Sequence, residues 1–399
     1  MDLLDALFLR AGYNAALVAV GAALLGMAAG AVGAFMFLRK RALVSDAVAH
    51  AALPGVCAAF LIMVAMGRDG RSLIGLLAGA AASAAIGLWL IEWATRRTRL
   101  TEDAAIGAVL GAFFGLGVVL MTVIQTVPQG RQAGIETFLL GSAAGMLFED
   151  SLVIAIGGGV PVALIWLLRR PMILTAFDPS YAAALGVNVA WVDRALMGLV
   201  MVVTVVGLKL VGLILIVAML IIPPVTARFW TDRSSRLVGL SGAIGGLAAW
   251  IGAALSSVAP ALPTGPVVVL VAALIFALSL VMAPRRGIVA GWMRHVRLRR
   301  QMALRAALRD MVPGSPVPPA LRGPLQRRGL VDARGLPTDE GLAQAADIAQ
   351  DGRRWVAARR LFDDAGIAPR DDGLTRITSV LTPDQIAQID GVLAQGGKP

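Results

Sequence analysis

Hydrophobic residues in the first 285 positions form long apolar runs separated by short polar or basic segments. A helix needs about 20 apolar residues to cross roughly 30 Å of hydrocarbon. The runs that approach or exceed this length are Tyr13–Leu38, Ala42–Met66, Leu73–Ala94, Ala104–Val127, Leu152–Leu168, Leu196–Phe229, Leu237–Val258 and Pro266–Met282. This pattern predicts an all-α, polytopic membrane protein.

The run from Leu196 to Phe229 is too long for a single span, and Gly207, Lys209 and Gly212 lie near its middle. Positive residues mark cytoplasmic loops. The basic clusters that test the topology are Arg39-Lys40-Arg41, Arg96-Arg97-Arg99, Arg169-Arg170, Arg228 with Arg233 and Arg236, and Arg285-Arg286. All five clusters lie on one side only if the long run is two short spans. This predicts about nine transmembrane helices, an external N-terminus and a cytoplasmic C-terminus, whereas eight spans would break the charge rule.

Composition excludes an ordinary soluble domain. Of 399 residues, 58% are hydrophobic, and the mean hydropathy is +0.78. The net charge of +11 comes largely from arginines at loop edges and in the last third of the chain, as cytoplasmic loops require, so it does not indicate nucleic acid. The single Cys57 excludes a disulfide within the chain.

Two ionisable residues interrupt the second apolar run. Asp46 and His50 are four residues apart, so a helix places both side chains on one face. Such groups at membrane depth favour a transport pathway, although a polar pair between packed helices is the alternative. Pro54 removes the helical partner of the His50 carbonyl and predicts a kink there. Cys57, seven residues beyond His50, is a candidate third ligand or simply a small apolar residue.

The segment from Ala42 to Gly55 resembles the signature of permease subunits of bacterial manganese, zinc and iron ABC importers, which is close to ALVGDALSHAVLPG. The resemblance implies that Asp46 and His50 are metal ligands in the translocation path. Ser45 replaces a Gly of that pattern and Ala49 replaces a Ser. Neither difference removes a ligand.

Two further segments match the same family in the expected order. Residues 211–227 are similar to VGVLLVSALLIIPAATA, and residues 177–186 are similar to FDPEYARALG. In the second segment, a possible N-cap at Asp178 and a glycine at Gly186 predict a short helix between them. The resemblance implies that this short helix couples to an ATPase. The residues carried over for that role are Asp178, Pro179, Tyr181, Ala184, Leu185 and Gly186.

The tail after the transmembrane domain (residues 1–285) differs in composition. Residues 286–312 are rich in arginine and predict an amphipathic connector helix at the membrane surface, attracted to anionic lipid. Residues 313–399 predict a small, mostly helical cytoplasmic domain. Within it, residues 325–345 are similar to the winged helix of iron-dependent repressors, but Arg353-Arg354-Trp355 lacks the His of their metal-binding motif. Because this domain is tethered to a membrane, we do not expect it to bind nucleic acid.

The resemblance implies a type II ABC importer-like permease, which is a transporter subunit and not an enzyme, in the bacterial inner membrane. The cargo would be Mn²⁺, Zn²⁺ or Fe²⁺. Mn²⁺ is favoured because some manganese permeases carry such a tail. No permanently bound cofactor is expected. No G-x-x-x-x-G-K-[ST] motif occurs, so ATP must bind a separate ABC ATPase. Other expected partners are a metal-binding solute-binding protein, a second permease subunit, identical or different, and membrane lipid.

Two other function classes remain as alternatives. One is a secondary transporter driven by an ion gradient. The other is a membrane-embedded metalloenzyme, which is disfavoured because the chain has no H-E-x-x-H motif and only His50 in its apolar part.

Overall fold

The computed structural model describes residues 7–8, 13–68, 70, 72–126, 148–258, 262–284, 286–362 and 375–394. They form two compact units, Met1–Val289 and Ala290–Pro399. In these ranges the regular structure is helical, apart from one isolated antiparallel bridge between Val331 and Pro337. The predicted all-α membrane fold is therefore confirmed.

The helices of the first unit are α1 (Tyr13–Leu38), α2 (Leu43–Ala65), α3 (Leu73–Arg97), α4 (Glu102–Thr126), α5 (Phe148–Phe177), α6 (Pro179–Ala184), α7 (Val189–Leu210), α8 (Leu213–Trp230), α9 (Ser234–Val258) and α10 (Thr264–Met282). Of the described helices, eight are long and apolar enough to cross a membrane, and α8 is a shorter apolar helix. The predicted break in the long run is observed between α7 and α8. There Gly212 has φ of +91°, a conformation that glycine adopts without strain.

Helix α5 differs from its sequence prediction. It continues past the expected end at Leu168 to Phe177, because Arg169 and Arg170 are good helix formers and remain exposed. The guanidinium of Arg169 lies 5.1 Å from the centroid of the Trp166 ring. The topology predicts that the polar segment from Pro128 to Asp150 is external, and most of this segment lies outside the described ranges.

Small residues allow α1 to approach α9 closely. A Cβ atom at Gly26 would collide with the backbone of Gly245, and one at Gly30 would collide with the backbone of Ser241. In lipid, helix association depends on such close packing. Gly239, near the start of α9, faces open space instead.

Helix α2 packs between α3 and α4 by the same means. A Cβ at Gly55 would meet the carbonyl oxygen of Gly79 on α3, and the side chain of Leu53 fills the space beside Gly117 on α4. The hydroxyl of Ser83 donates a hydrogen bond of 2.6 Å to the carbonyl of Ala51. These contacts fix the helix that carries Asp46 and His50.

The second unit contains most of α11 (Ile288–Arg309), followed by α12 (Pro319–Gln326), α13 (Asp339–Phe362) and α14 (Pro383–Ala394). Its only buried charged residue in the described part is Asp351. This carboxylate accepts hydrogen bonds from Arg305 at 2.9 Å and from the backbone N–H of Ile377 at 3.0 Å. The bridge between Val331 and Pro337 lies where the resemblance places the wing, and the winged helix stays a prediction.

Candidate functional site

Asp46 and His50 lie one turn apart near the start of α2. The Nε2 atom of His50 is 3.4 Å from Oδ1 of Asp46, and their side chains are 18% and 34% exposed, respectively. The prediction that the two side chains share one face is confirmed. One imidazole and one carboxylate are thus presented together beside an otherwise apolar helix.

The imidazole of His50 contacts an aromatic side chain, and one of its two nitrogens has no hydrogen-bond partner among the described groups. Its ring meets that of Phe114 on α4 edge-on, with centroids 5.0 Å apart and planes at 89°. Its Nδ1 atom is buried and has no hydrogen-bond partner among the described groups. An unsatisfied buried polar atom costs about 1–3 kcal/mol. The ring nitrogen that faces the Asp46 carboxylate is Nε2, and a neutral imidazole binds metal through either nitrogen.

Cys57 does not join this pair. It is buried, and its Sγ lies 3.8 Å from the carbonyl oxygen of Gly117, a contact typical of a weak thiol donor. In the described ranges no group of three or more His, Cys, Asp or Glu side chains is placed to hold a metal. The described part of one chain therefore offers two ligands at this position.

A polar clasp precedes α2, formed by Arg39, Thr175 and Asp193. Arg39 donates a 2.8 Å hydrogen bond to the Thr175 hydroxyl of α5 and forms an ion pair with Asp193 of α7. Burial, together with the nearby Arg41, lowers the pKa of Arg39, and the Asp193 carboxylate opposes the charge of its guanidinium. The clasp joins the connection between α1 and α2 to helices on both sides of α6.

A second ion pair supports the same end of α2. The Nε atom of Arg41 lies 2.9 Å from Oε1 of Glu102, the first residue of α4. In the sequence, Arg39 and Arg41 mark only the topology, and Glu102, Asp193 and Phe114 were not predicted to lie near the site. The acidic residues at or near the starts of two apolar helices were the available signal for the ion pairs, whereas Phe114 had none.

The predicted short helix is present as α6, Pro179–Ala184. The Asp178 carboxylate accepts a 2.8 Å hydrogen bond from the backbone N–H of Tyr181, and Gly186 has φ of +81°. The predicted N-cap and glycine terminator are therefore confirmed. Side chains of Tyr181 and Leu185 are 56% and 58% exposed, which leaves an apolar surface at this connection.

The chain is similar to known proteins in sequence and in fold. The ABC 3 transport family matches residues 13–283. The manganese transport system membrane protein MntC of Bacillus subtilis is 40% identical over 288 residues, which are 72% of this chain and 65% of that protein. The zinc transport system membrane protein TroC of Treponema pallidum is 38% identical over 277 residues, which are 69% of this chain and 91% of that protein.

A solved structure, PsaBC from Streptococcus pneumoniae in complex with Fab, has the same arrangement with a TM-score of 0.61. It is 28% identical, and the match covers 74% of this chain and 98% of that chain. The family match ends at residue 283, so the arginine-rich segment and the second unit lie beyond it.

Proposed function

Because the chain belongs to the ABC 3 transport family, we propose that it is the permease subunit of an ATP-driven importer for a divalent transition metal. The observation that carries this proposal is the Asp46–His50 pair, in which Nε2 of His50 lies 3.4 Å from Oδ1 of Asp46. The names of the relatives support manganese or zinc as cargo. We favour Mn²⁺ as the cargo because the C-terminal tail resembles the tails of some manganese permeases.

The ligand chemistry supports transient binding. Carboxylate oxygen and imidazole nitrogen suit Mn²⁺, Fe²⁺ and Zn²⁺, so this pair alone does not select among them. Two ligands are an incomplete coordination shell. A second permease subunit that faces this one would supply two more, and water would fill the rest. Such a site holds a metal loosely enough to release it.

Energy would come from a separate ABC ATPase that docks on α6. In this proposal Asp178, Pro179 and Gly186 define the ends of the short helix, while Ala184 belongs to its last turn. The exposed Tyr181 and Leu185 would provide the contact. The clasp of Arg39 with Thr175 and Asp193 supports this arrangement, because it connects both flanks of α6 to the start of α2.

The topology completes the proposal. An external N-terminus and a cytoplasmic C-terminus, which the basic loops favour, would put α6 and the clasp on the ATPase side of a bacterial inner membrane. A solute-binding protein would then deliver the metal from the opposite side.

Uptake into proteoliposomes that contain the chain and its ATPase, with the solute-binding protein added outside, tests the energy source. We expect Mn²⁺ uptake with ATP, and none with a non-hydrolysable ATP analogue or with an imposed proton or sodium gradient alone. Uptake that a gradient drives without ATP would establish the secondary transporter instead. Competition among Mn²⁺, Zn²⁺ and Fe²⁺ tests the cargo, and stronger ATP-dependent uptake of Zn²⁺ or Fe²⁺ would overturn the preference for Mn²⁺.

A further inference from the structure

Four arginines surround one concave surface of the second unit, and we call it the arginine basin. Arg297 and Arg300 come from α11, while Arg327 and Arg328 follow the end of α12. The basin has a volume of about 360 Å³, and its remaining lining residues are Gln301, Leu304 and Pro324. The lining contains no acidic side chain. The basin is therefore a cluster of guanidinium groups with an apolar floor.

The four charges are not balanced by the described part of the chain. Other arginines of this unit have carboxylate partners, as in the pairs Arg305–Asp351, Arg354–Asp390 and Arg376–Asp347. None of the four basin arginines forms such an ion pair with a described residue. Within the described structure, their only side-chain hydrogen bond runs from Nε of Arg327 to the carbonyl oxygen of Gly323, at 3.4 Å. Like charges repel one another, so a bound anion would stabilise the arrangement.

Two rows of side chains on α11 lead into the basin. Trp292, Val296 and Arg300 follow one another at intervals of four residues, and Met293, Arg297 and Gln301 form the neighbouring row. Trp292, Met293 and Val296 are 67%, 44% and 43% exposed. An apolar strip of Trp292, Met293 and Val296 thus lies on α11 directly beside the basin arginines Arg297 and Arg300.

This combination identifies the class of ligand. A phosphate ion or a nucleic acid backbone would use the arginines and leave the apolar strip exposed. An amphiphile uses both, since its anionic headgroup pairs with guanidinium groups and its hydrocarbon covers apolar side chains. We propose that the arginine basin binds the phosphate headgroup of an anionic phospholipid, with the acyl chains along Trp292, Met293 and Val296.

Native mass spectrometry of the full chain in detergent, titrated with phosphatidylglycerol, tests this site. The basin variant carries Arg297→Gln, Arg300→Gln, Arg327→Gln and Arg328→Gln. The matched control removes four other exposed arginines, as Arg294→Gln, Arg299→Gln, Arg353→Gln and Arg359→Gln. We expect the basin variant to bind phosphatidylglycerol several-hundredfold more weakly, about fivefold for each arginine removed, and the control variant to bind like wild type. Phosphatidylcholine with the same acyl chains should show no difference among the three proteins.

Two further arms identify the source of the phosphate. Inorganic phosphate and a single-stranded oligonucleotide are added as competitors, and neither should displace the lipid at equal concentration. Trp292→Ala should weaken binding of phosphatidylglycerol while leaving all four arginines in place. Equal lipid binding by the basin and control variants would overturn the proposal. Displacement by phosphate would assign the basin to a soluble anion, and displacement by the oligonucleotide would assign it to nucleic acid.

Discussion

The phenyl ring of Phe114 on α4 meets the imidazole of His50 on α2 edge-on, at 5.0 Å between centroids. This contact holds the ring of the proposed metal ligand in place from a neighbouring helix. It also makes the geometry of His50 depend on α4 as well as on its own helix.

Substitution of Phe114 by alanine should impair metal capture without abolishing transport. An aromatic pair contributes about 0.5–1.5 kcal/mol beyond its buried area, so we expect the apparent KM for ATP-driven metal uptake to rise roughly two- to tenfold. Uptake kinetics in proteoliposomes provide the measurement. Leu116→Ala is the matched control, because Leu116 lies on the same helix and is 52% exposed. Equal KM values for both variants would show that the ring contact does not position His50.

The ion pair between Arg39 and Asp193 should contribute to stability through its partly buried position. Asp193→Ala leaves the Arg39 guanidinium, whose side chain is 9% exposed, without its carboxylate, and this should cost about 1–3 kcal/mol. Replacing both residues, as Arg39→Met with Asp193→Ala, should recover part of the loss because no unpaired charge remains. Thermal unfolding of the purified chain in detergent measures both effects.

The exposed pair of Arg96 and Glu92 supplies the control for that experiment. Its side chains are 69% and 49% exposed, so Glu92→Ala should cost at most about 1 kcal/mol. If Asp193→Ala and Glu92→Ala shift the melting temperature equally, the clasp of Arg39 has no special structural role.

The close approach of α2 and α3 predicts a strong contrast between two glycines. An alanine at Gly79 would place its Cβ against the carbonyl of Gly55, whereas Gly111 on α4 has open space around it. Gly79→Ala should therefore destabilise the chain by about 1–3 kcal/mol, while Gly111→Ala should leave stability unchanged or raise it slightly. Melting temperatures of the two variants test this, and similar values would contradict the tight crossing.

The fold was predictable from sequence because lipid restricts the choice of structure. Long apolar runs must be helices, and the charge rule located the break that Gly212 provides between α7 and α8. The end of α5 was predicted too early, since an apolar run that stops at Leu168 does not reveal that the helix continues through Arg169 and Arg170 to Phe177.

The candidate site was only partly predictable. The spacing of Asp46 and His50 fixes their common face, which is a local property of one helix. The neighbours of that face come from distant segments, as in the contact of Phe114 with His50 and the pairing of Asp193 with Arg39. Single-sequence patterns contain no information on such contacts. The arginine basin was missed for the same reason, because it joins residues of α11 to residues that follow α12.

The metal content of metal-starved cells tests the central claim most directly. Cells that express the whole transporter would carry wild-type permease, Asp46→Ala, His50→Ala or the control Ser45→Ala, whose hydroxyl bonds only to the Ala42 carbonyl in the described structure. Mass spectrometry then measures accumulated Mn²⁺, Zn²⁺ and Fe²⁺ at equal membrane levels of each variant. We expect wild type and Ser45→Ala to accumulate one metal, and both site variants to fall to the level of cells without the permease. Accumulation by Asp46→Ala and His50→Ala at the wild-type level would show that the pair is structural and that the metal path lies elsewhere.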